Sequence, residues 1–160
     1  VRRAHATHPI AALQTEYSPW VRNPEIAVLD TCRDLGIAFV AFSPVGRGFF
    51  GGKIRSADYR DDDLRALLPR FQEPHLTHNL ALLDRFEDIA QGLGISGAQL
   101  AIAWTLAQAP HIIALPGTVN EAHLAEDLAA AAIDIPMDAL QAVSGIFAPG
   151  AVAGMLEAVS

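Results

Sequence analysis

Three groups of residues in this chain have the types and spacing to do chemistry, and two of them suit the binding of an anionic ligand. In the stretch Ile112 to Asp127 an apolar run stops at Pro116, Gly117 and Thr118, then restarts as a polar helix-forming segment. A glycine beside a hydroxyl residue, just ahead of a helix start, leaves backbone N–H groups free to meet a phosphate. Asn120 reads as the helix cap, Glu121 falls in the first turn, and His123, Glu126 and Asp127 follow on the helix. The residues alone leave two readings open: a phosphate site, or a plain turn in which Asn120 caps and the three later residues are ordinary exposed side chains.

The second group is the glycine-rich run from Ser43 to Gly52, in which Pro44 and Val45 precede Gly46, Arg47 and Gly48. Glycines permit close backbone approach, and Arg47 supplies a cation. The run matches neither G-x-G-x-x-G nor G-x-x-x-x-G-K-[ST], so a flexible connection is an equal reading. The third group is Gln14, whose amide could match another amide or bond its own strand end.

Other candidates reduce to structure. Asp61, Asp62 and Asp63 suit a helix N-terminus through the macrodipole. His75 and His78, like His5 and His8, lack carboxylates at regular spacing, so a zinc site is not expected. Trp104 reads as core, as does Cys32, and no Ser, His and Asp set has the local signature of a triad.

The elements that must position these groups alternate. A strand is expected over Ile10 to Thr15, followed by a helix with Asn23 as N-cap, Pro24 at its first position and Gly36 as terminator. "IAFVAFS" has the unbroken apolar character of a strand covered on both faces. Two helices follow, "NLALLDRFEDIAQGLG" and "SGAQLAIAWTLAQ", the latter capped by Ser96, and then a strand at Ile112–Leu115 and two closing helices. Between the second strand and these helices lies a long irregular segment through Asp63. The pattern predicts an α/β fold with a parallel sheet, three strands in all, two unpaired edges and one poorly covered face.

Composition narrows the class. The 160 residues are 51% hydrophobic and 18% charged, with a formal charge of −7 and a single lysine, Lys53. That balance supports a packed core and opposes nucleic-acid binding, which needs clustered cations. No apolar run reaches the length of a membrane span. One cysteine excludes an internal disulfide and fits a reducing, cytoplasmic setting. The opening "VRRAHATH" reads as the end of a helix, which suggests a fragment.

Taken together, "RRAHATHPIAALQTEYSPWVR", "AFSPVGRGFFGGKI", "AQLAIAWTL" and "LPGTVNEAHLAEDL" resemble the C-terminal half of the aldo-keto reductases. That family consists of NADPH-dependent carbonyl reductases built on a (β/α)8 TIM barrel. The resemblance covers nearly the whole chain and implies that residues 1–160 form the last three strands, with their helices, of such a barrel. It implies that Gln14 bonds the nicotinamide carboxamide and that Phe42 stacks on the nicotinamide ring. Ser43, Pro44, Val45 and Arg47 would lie along the pyrophosphate, and Gly117 would let the backbone approach a phosphate. Thr118 and His123 would sit near the adenosine 2'-phosphate, and Glu126 with Asp127 would meet the adenosine.

Two departures matter. Val119 and Asn120 stand where the family often has Lys or Arg, so the implied cofactor is NADP(H) with NAD(H) left open. Asp127 replaces a commoner Asn and places a negative charge near phosphate. The family's catalytic Tyr, Lys, His and Asp belong to the first half of the barrel, and no segment here matches them, so this chain would be inactive alone. The implied reaction is reduction of small aldehydes or ketones, the small-molecule carbonyl substrate being unspecified. The alternative is a non-catalytic nucleotide-binding or interaction module that self-associates through its open sheet edges. The closing stretch "FAPGAVAGMLEAVS" carries no readable motif.

Overall fold

The computed structural model describes residues 1–155. Helix α1 spans Arg2–Thr7, strand β1 Ala12–Glu16, helix α2 Val28–Leu35 and strand β2 Ala38–Phe42. Helices α3 (His75–Gly92) and α4 (Gly97–Ala107) precede strand β3 (Ile112–Leu115), and helices α5 (Glu121–Ala129) and α6 (Met137–Ile146) follow it. The strands pair in parallel in the order β1-β2-β3, so among the described residues β1 and β3 are both edges.

Register decides which side chains face which way. Residues one apart on a strand point to opposite faces. Phe39 and Ala41 on β2 point to the helices and are fully buried with Tyr17, Cys32, Ile37 and Trp104. On the other face Gln14 stands opposite Val40 and Ile113, and Glu16 stands opposite Phe42 and Leu115. Among the described residues no helix covers that face, and Ile113 and Leu115 remain 54% and 48% exposed.

Local chemistry accounts for most element ends. Ser96 accepts from the Gln99 amide at 3.1 Å while the Gln99 side chain accepts from the Ser96 amide at 3.1 Å, a reciprocal box that starts α4. Asn120 accepts from the Ala122 amide at 2.8 Å and starts α5. Gly36 ends α2 with φ of 66°, a left-handed conformation that costs glycine little.

Several expectations are corrected. Asn23 does not cap α2: it lies inside a separate 3-10 turn, Asn23–Ile26, and makes no capping bond. Glu25 instead grips Arg22 through two bonds of 2.8 Å, and the backbone breaks at Ala27 before α2 begins. Helix α3 begins at His75 rather than Asn79, because the Leu76 amide already bonds the Gln72 carbonyl. Asp63 caps only a 3-10 turn, Leu64–Leu67, by accepting from the Arg65 amide, whereas Asp62 pairs with Arg60 in solvent. Strand β1 runs from Ala12 to Glu16, later than expected, because Ala38 takes its first partner from this region at Ala11.

The start of the irregular segment is packed rather than loose, whereas most of residues 55–63 are exposed. Trp20 stacks on Phe49 with centroids 3.9 Å apart, and Phe50 and Phe71 meet the same ring edge-on. Gly46, at φ of 60°, is required there, since an added Cβ would lie 2.8 Å from Trp20 Nε1. Residues 156–160, the end of the closing stretch, lie outside the described residues.

Candidate functional site

The C-terminal ends of the parallel strands gather the candidate residues on one rim, where α/β folds place their ligand sites. After β2 the chain turns sharply: Ser43 and Arg47 take positive φ values of 53° and 57°. Such values in non-glycine residues mark strain, which concentrates at functional loops. After β3, Thr118 Oγ1 accepts from the Asn120 amide at 3.1 Å and fixes the approach to α5. The amides of Val119 and Glu121 find no acceptor among the described residues, as expected at a helix N-terminus.

Between these two turns lies a cavity of about 440 Å³. Of the expected residues, Val45, Gly117, Thr118, His123, Glu126 and Asp127 line it. Gly117 has open space where a side chain would stand, so its backbone can be approached closely. Gln14, Phe42, Ser43, Pro44 and Arg47 do not line this cavity. Gln14 and Phe42 lie on the uncovered sheet face, Pro44 is buried, and the Arg47 guanidinium turns to Glu16 at 3.5 Å.

The cavity has further walls that sequence reasoning missed: Lys53, Arg65, Glu87 and the start of α4 at Ser96 and Gly97. Lys53 carried a weak signal as the only lysine, directly after Gly51 and Gly52. Arg65 carried none, since only folding of the irregular segment brings it back to the rim. There it is held by Asp63 and lies 5.4 Å over the Tyr59 ring. Its grip, together with the Arg65 amide, holds the Asp63 carboxyl down at about 2. Gly97 allows α4 to touch the rim, because a Cβ there would meet the Phe50 carbonyl oxygen at 2.4 Å.

The charges at the cavity are mixed. Lys53, Arg65 and His123 face Glu87, Glu126 and Asp127. Arg55 pairs with Glu87 and with Asp84, and so occupies part of this negative charge. Asp127 is only 8% exposed; burial and then Glu126 raise its pKa, while His123 opposes the rise.

Neither Tyr17 nor Tyr59 lines the cavity. Tyr17 is fully buried and donates to Glu25 at 2.8 Å, and burial pushes its phenol far up. Tyr59 packs edge-on to Phe71 beneath the Arg65 guanidinium, and its hydroxyl is buried with no hydrogen-bond partner among the described residues. No group of three or more metal-ligating side chains occurs among the described residues.

Residues 1–147 match the model of the Aldo/keto reductase family. The chain belongs to that family. It is 40% identical over 147 residues to aldo-keto reductase str7 of Strobilurus tenacellus, covering 89% of this chain and 44% of that protein. It is 38% identical over 154 residues to the probable aldo-keto reductase 1 of Glycine max, covering 96% and 44%. The glycerol dehydrogenase structure from Gluconobacter oxydans superposes with a TM-score of 0.84 at 26% identity, covering 98% of this chain and 47% of that one. The chain thus spans about half the length of these aldo/keto reductases. Its three parallel strands with their helices correspond to part of the barrel of such relatives.

Proposed function

We propose that this aldo/keto reductase chain carries the dinucleotide-binding part of an NADPH-dependent carbonyl reductase site. The observation that carries the reading is the cavity at the rim, where Gly117, Thr118, the free amides that open α5, Lys53 and Arg65 converge. Amides at a helix N-terminus and nearby cations are the groups that hold phosphate oxygens. A volume of about 440 Å³ suits the adenosine and phosphates, not a whole dinucleotide.

The nicotinamide end would therefore lie outside the cavity, on the uncovered sheet face. There Gln14 and Phe42 occupy adjacent rows of the register, so an amide and an aromatic ring are presented together. Ser43, Pro44 and Val45 join that face to the cavity and would follow the pyrophosphate. Arg47 would have to leave Glu16 to join them, and its 3.5 Å contact is the weaker of the two that Glu16 makes. Bound NADPH would supply the hydride for a small aldehyde or ketone. The residues here would bind the cofactor and orient its ring.

The charge pattern bears on which nucleotide binds. Val119 is fully exposed and Asn120 is committed to its cap, so only Thr118, His123, Lys53 and Arg65 are in place for a 2'-phosphate. We read the site as one for NADP(H), weakened by Glu126 and Asp127, and working in a reducing cytoplasmic setting. Fluorescence titration with NADPH and with NADH tests it. Saturation by NADPH below millimolar, weakening as salt rises, supports the reading, whereas no saturation by either nucleotide overturns it.

Open strand edges favour a second property, self-association. Among the described residues strands β1 and β3 each leave one side unpaired, and β3 carries the exposed Ile113 and Leu115. Sedimentation of the chain at rising concentration should show growth in mass, and a monomer throughout would remove this reading.

A further inference from the structure

Asn79 is the one fully buried amide side chain among the described residues, and nothing above uses it. It sits in α3, and its partners are all backbone. Its Nδ2 donates to the Arg70 carbonyl and to the Ala153 carbonyl, both at 3.0 Å, and its Oδ1 accepts from the Ala153 amide at 2.9 Å. One side chain thus holds both backbone groups of Ala153 in the way a neighbouring strand would. It also ties that residue to the segment before α3.

Independent contacts seat the same stretch. His78 donates from Nε2 to the Ala151 carbonyl at 2.8 Å. Gly154, at φ of 69°, lies so close to the chain that an added Cβ would stand 2.7 Å from the Arg70 nitrogen. Arg70 Nη1 contacts Met155 Sδ at 3.6 Å, while Arg70 Nη2 bonds Glu16 at 2.7 Å. Residues 151–155 are therefore clamped onto Arg70, whose guanidinium is 8% exposed and lies 5.0 Å over Trp20.

The clamp builds a wall. A second cavity, of about 330 Å³, is lined by Glu16 at the end of β1, by Pro24, by Val28 at the start of α2, and by Arg70, Gly154 and Met155. Glu16 stands on the same uncovered face as Gln14, two residues nearer the rim. We infer that Asn79 is a positioning residue: it fixes residues 151–155 so that Gly154 and Met155 form one wall of the second cavity, at the β1 edge beside α2. The clamp stands independently of the proposed nucleotide site.

Hydrogen exchange on the full chain tests the clamp. Asn79→Asp keeps the shape but turns two donated bonds into a carboxylate facing two carbonyls, and Gly154→Ala removes the close seat on Arg70. Each should lower protection of the amides of 151–155 at least about tenfold, with the sheet and α4 unchanged. Because both release one segment, the double variant should lose no more protection than the stronger single one. Ala153→Pro deletes the N–H that Asn79 accepts, from the exposed side of the contact, and should act likewise should Asn79→Asp fail to fold.

Retained protection in Ala153→Pro, or in folded Asn79→Asp, overturns the inference, as does an additive double variant. NADPH titration of the same variants separates the two ideas. Wild-type chain that ignores NADPH defeats the proposed function and leaves the clamp standing. Clamp variants that lose the protection of 151–155 yet bind NADPH as wild type does support both.

Discussion

The two faces of one three-stranded sheet differ in what they ask of their residues. Toward the helices, Phe39, Ala41 and Ile112 are buried with Trp104, Leu83 and Phe86 in a continuous core. Toward the open side, Gln14, Val40, Phe42, Ile113 and Leu115 alternate with them along the same strands and remain partly or largely exposed. The contrast teaches that the helical side determines whether the chain folds, and that the open side is available for recognition. Packing has already used the buried residues' capacity for contact, whereas Gln14 still has an amide to offer.

Breaking the contrast is simplest with two residues of one type. Phe39→Ala should cost about 3–5 kcal/mol in urea denaturation, the range for deleting a buried ring, whereas Phe42→Ala should cost under about 1.5 kcal/mol in the chain alone. Equal costs would show that the open face is packed in solution. A single interface between copies through that face would have the same signature, so sedimentation of both variants belongs with the measurement.

The next effect is at the boundary between core and rim. Ser96→Ala removes one half of the box that starts α4 and should destabilise by about 1 kcal/mol. Asn120→Ala removes the cap of α5, which lies at the rim and touches less of the core, so its cost should be nearer the low end, about 0.5 kcal/mol, by the same denaturation. It should in addition disturb phosphate binding, since the amides that open α5 lie beside the cavity.

The smallest expected effect sharpens the electrostatic side. Asp127 has its pKa raised from 3.8 by burial and by Glu126, so the folded chain holds that proton more tightly than the unfolded chain. Stability therefore falls as pH rises from the unfolded value through the folded one, and the penalty is complete above it. Asp127→Asn should gain under about 1 kcal/mol at neutral pH and nothing below about pH 3.8, read from midpoints across that range. Asp63 has the opposite sign. Its carboxyl, held at about 2 by Arg65, supports the turn at Leu64–Leu67 above about pH 4, and that support is lost as pH falls through 2. Titration of its side-chain carbon by NMR would show the low midpoint.

Legibility in the sequence followed the range of the forces. The β3 to α5 junction was readable because Asn120 and the Pro116 and Gly117 break act on their immediate neighbours, and the Ser96 cap was readable for the same reason. Gly36 likewise ended its helix as expected. Asn23 misled because Glu25, which could have served the helix dipole, is drawn to Arg22 and Tyr17, and Arg22 in turn reaches the Ser144 carbonyl in α6. That competition involves residues more than a hundred positions apart.

The segment from Lys53 to Phe71 was opaque for a related reason. Its order comes from Trp20, Phe49 and Phe71 meeting across the fold and not from any local period. Arg65 and Lys53 reach the cavity only as a result. Asn79 opens the stretch expected to be a helix, and its partners at Arg70 and Ala153 have no sequence signal.

In the proposed site the phosphates of a dinucleotide meet the amides opening α5. Two-dimensional NMR of labelled chain during NADPH addition tests that most directly. The amides of Gly117, Val119 and Glu121, with those of Gly46 to Gly52, should shift together and saturate on one binding curve, while those of α2 and α6 stay fixed. Saturable shifts confined to other elements, with the amides of Val119 and Glu121 unmoved, would contradict it.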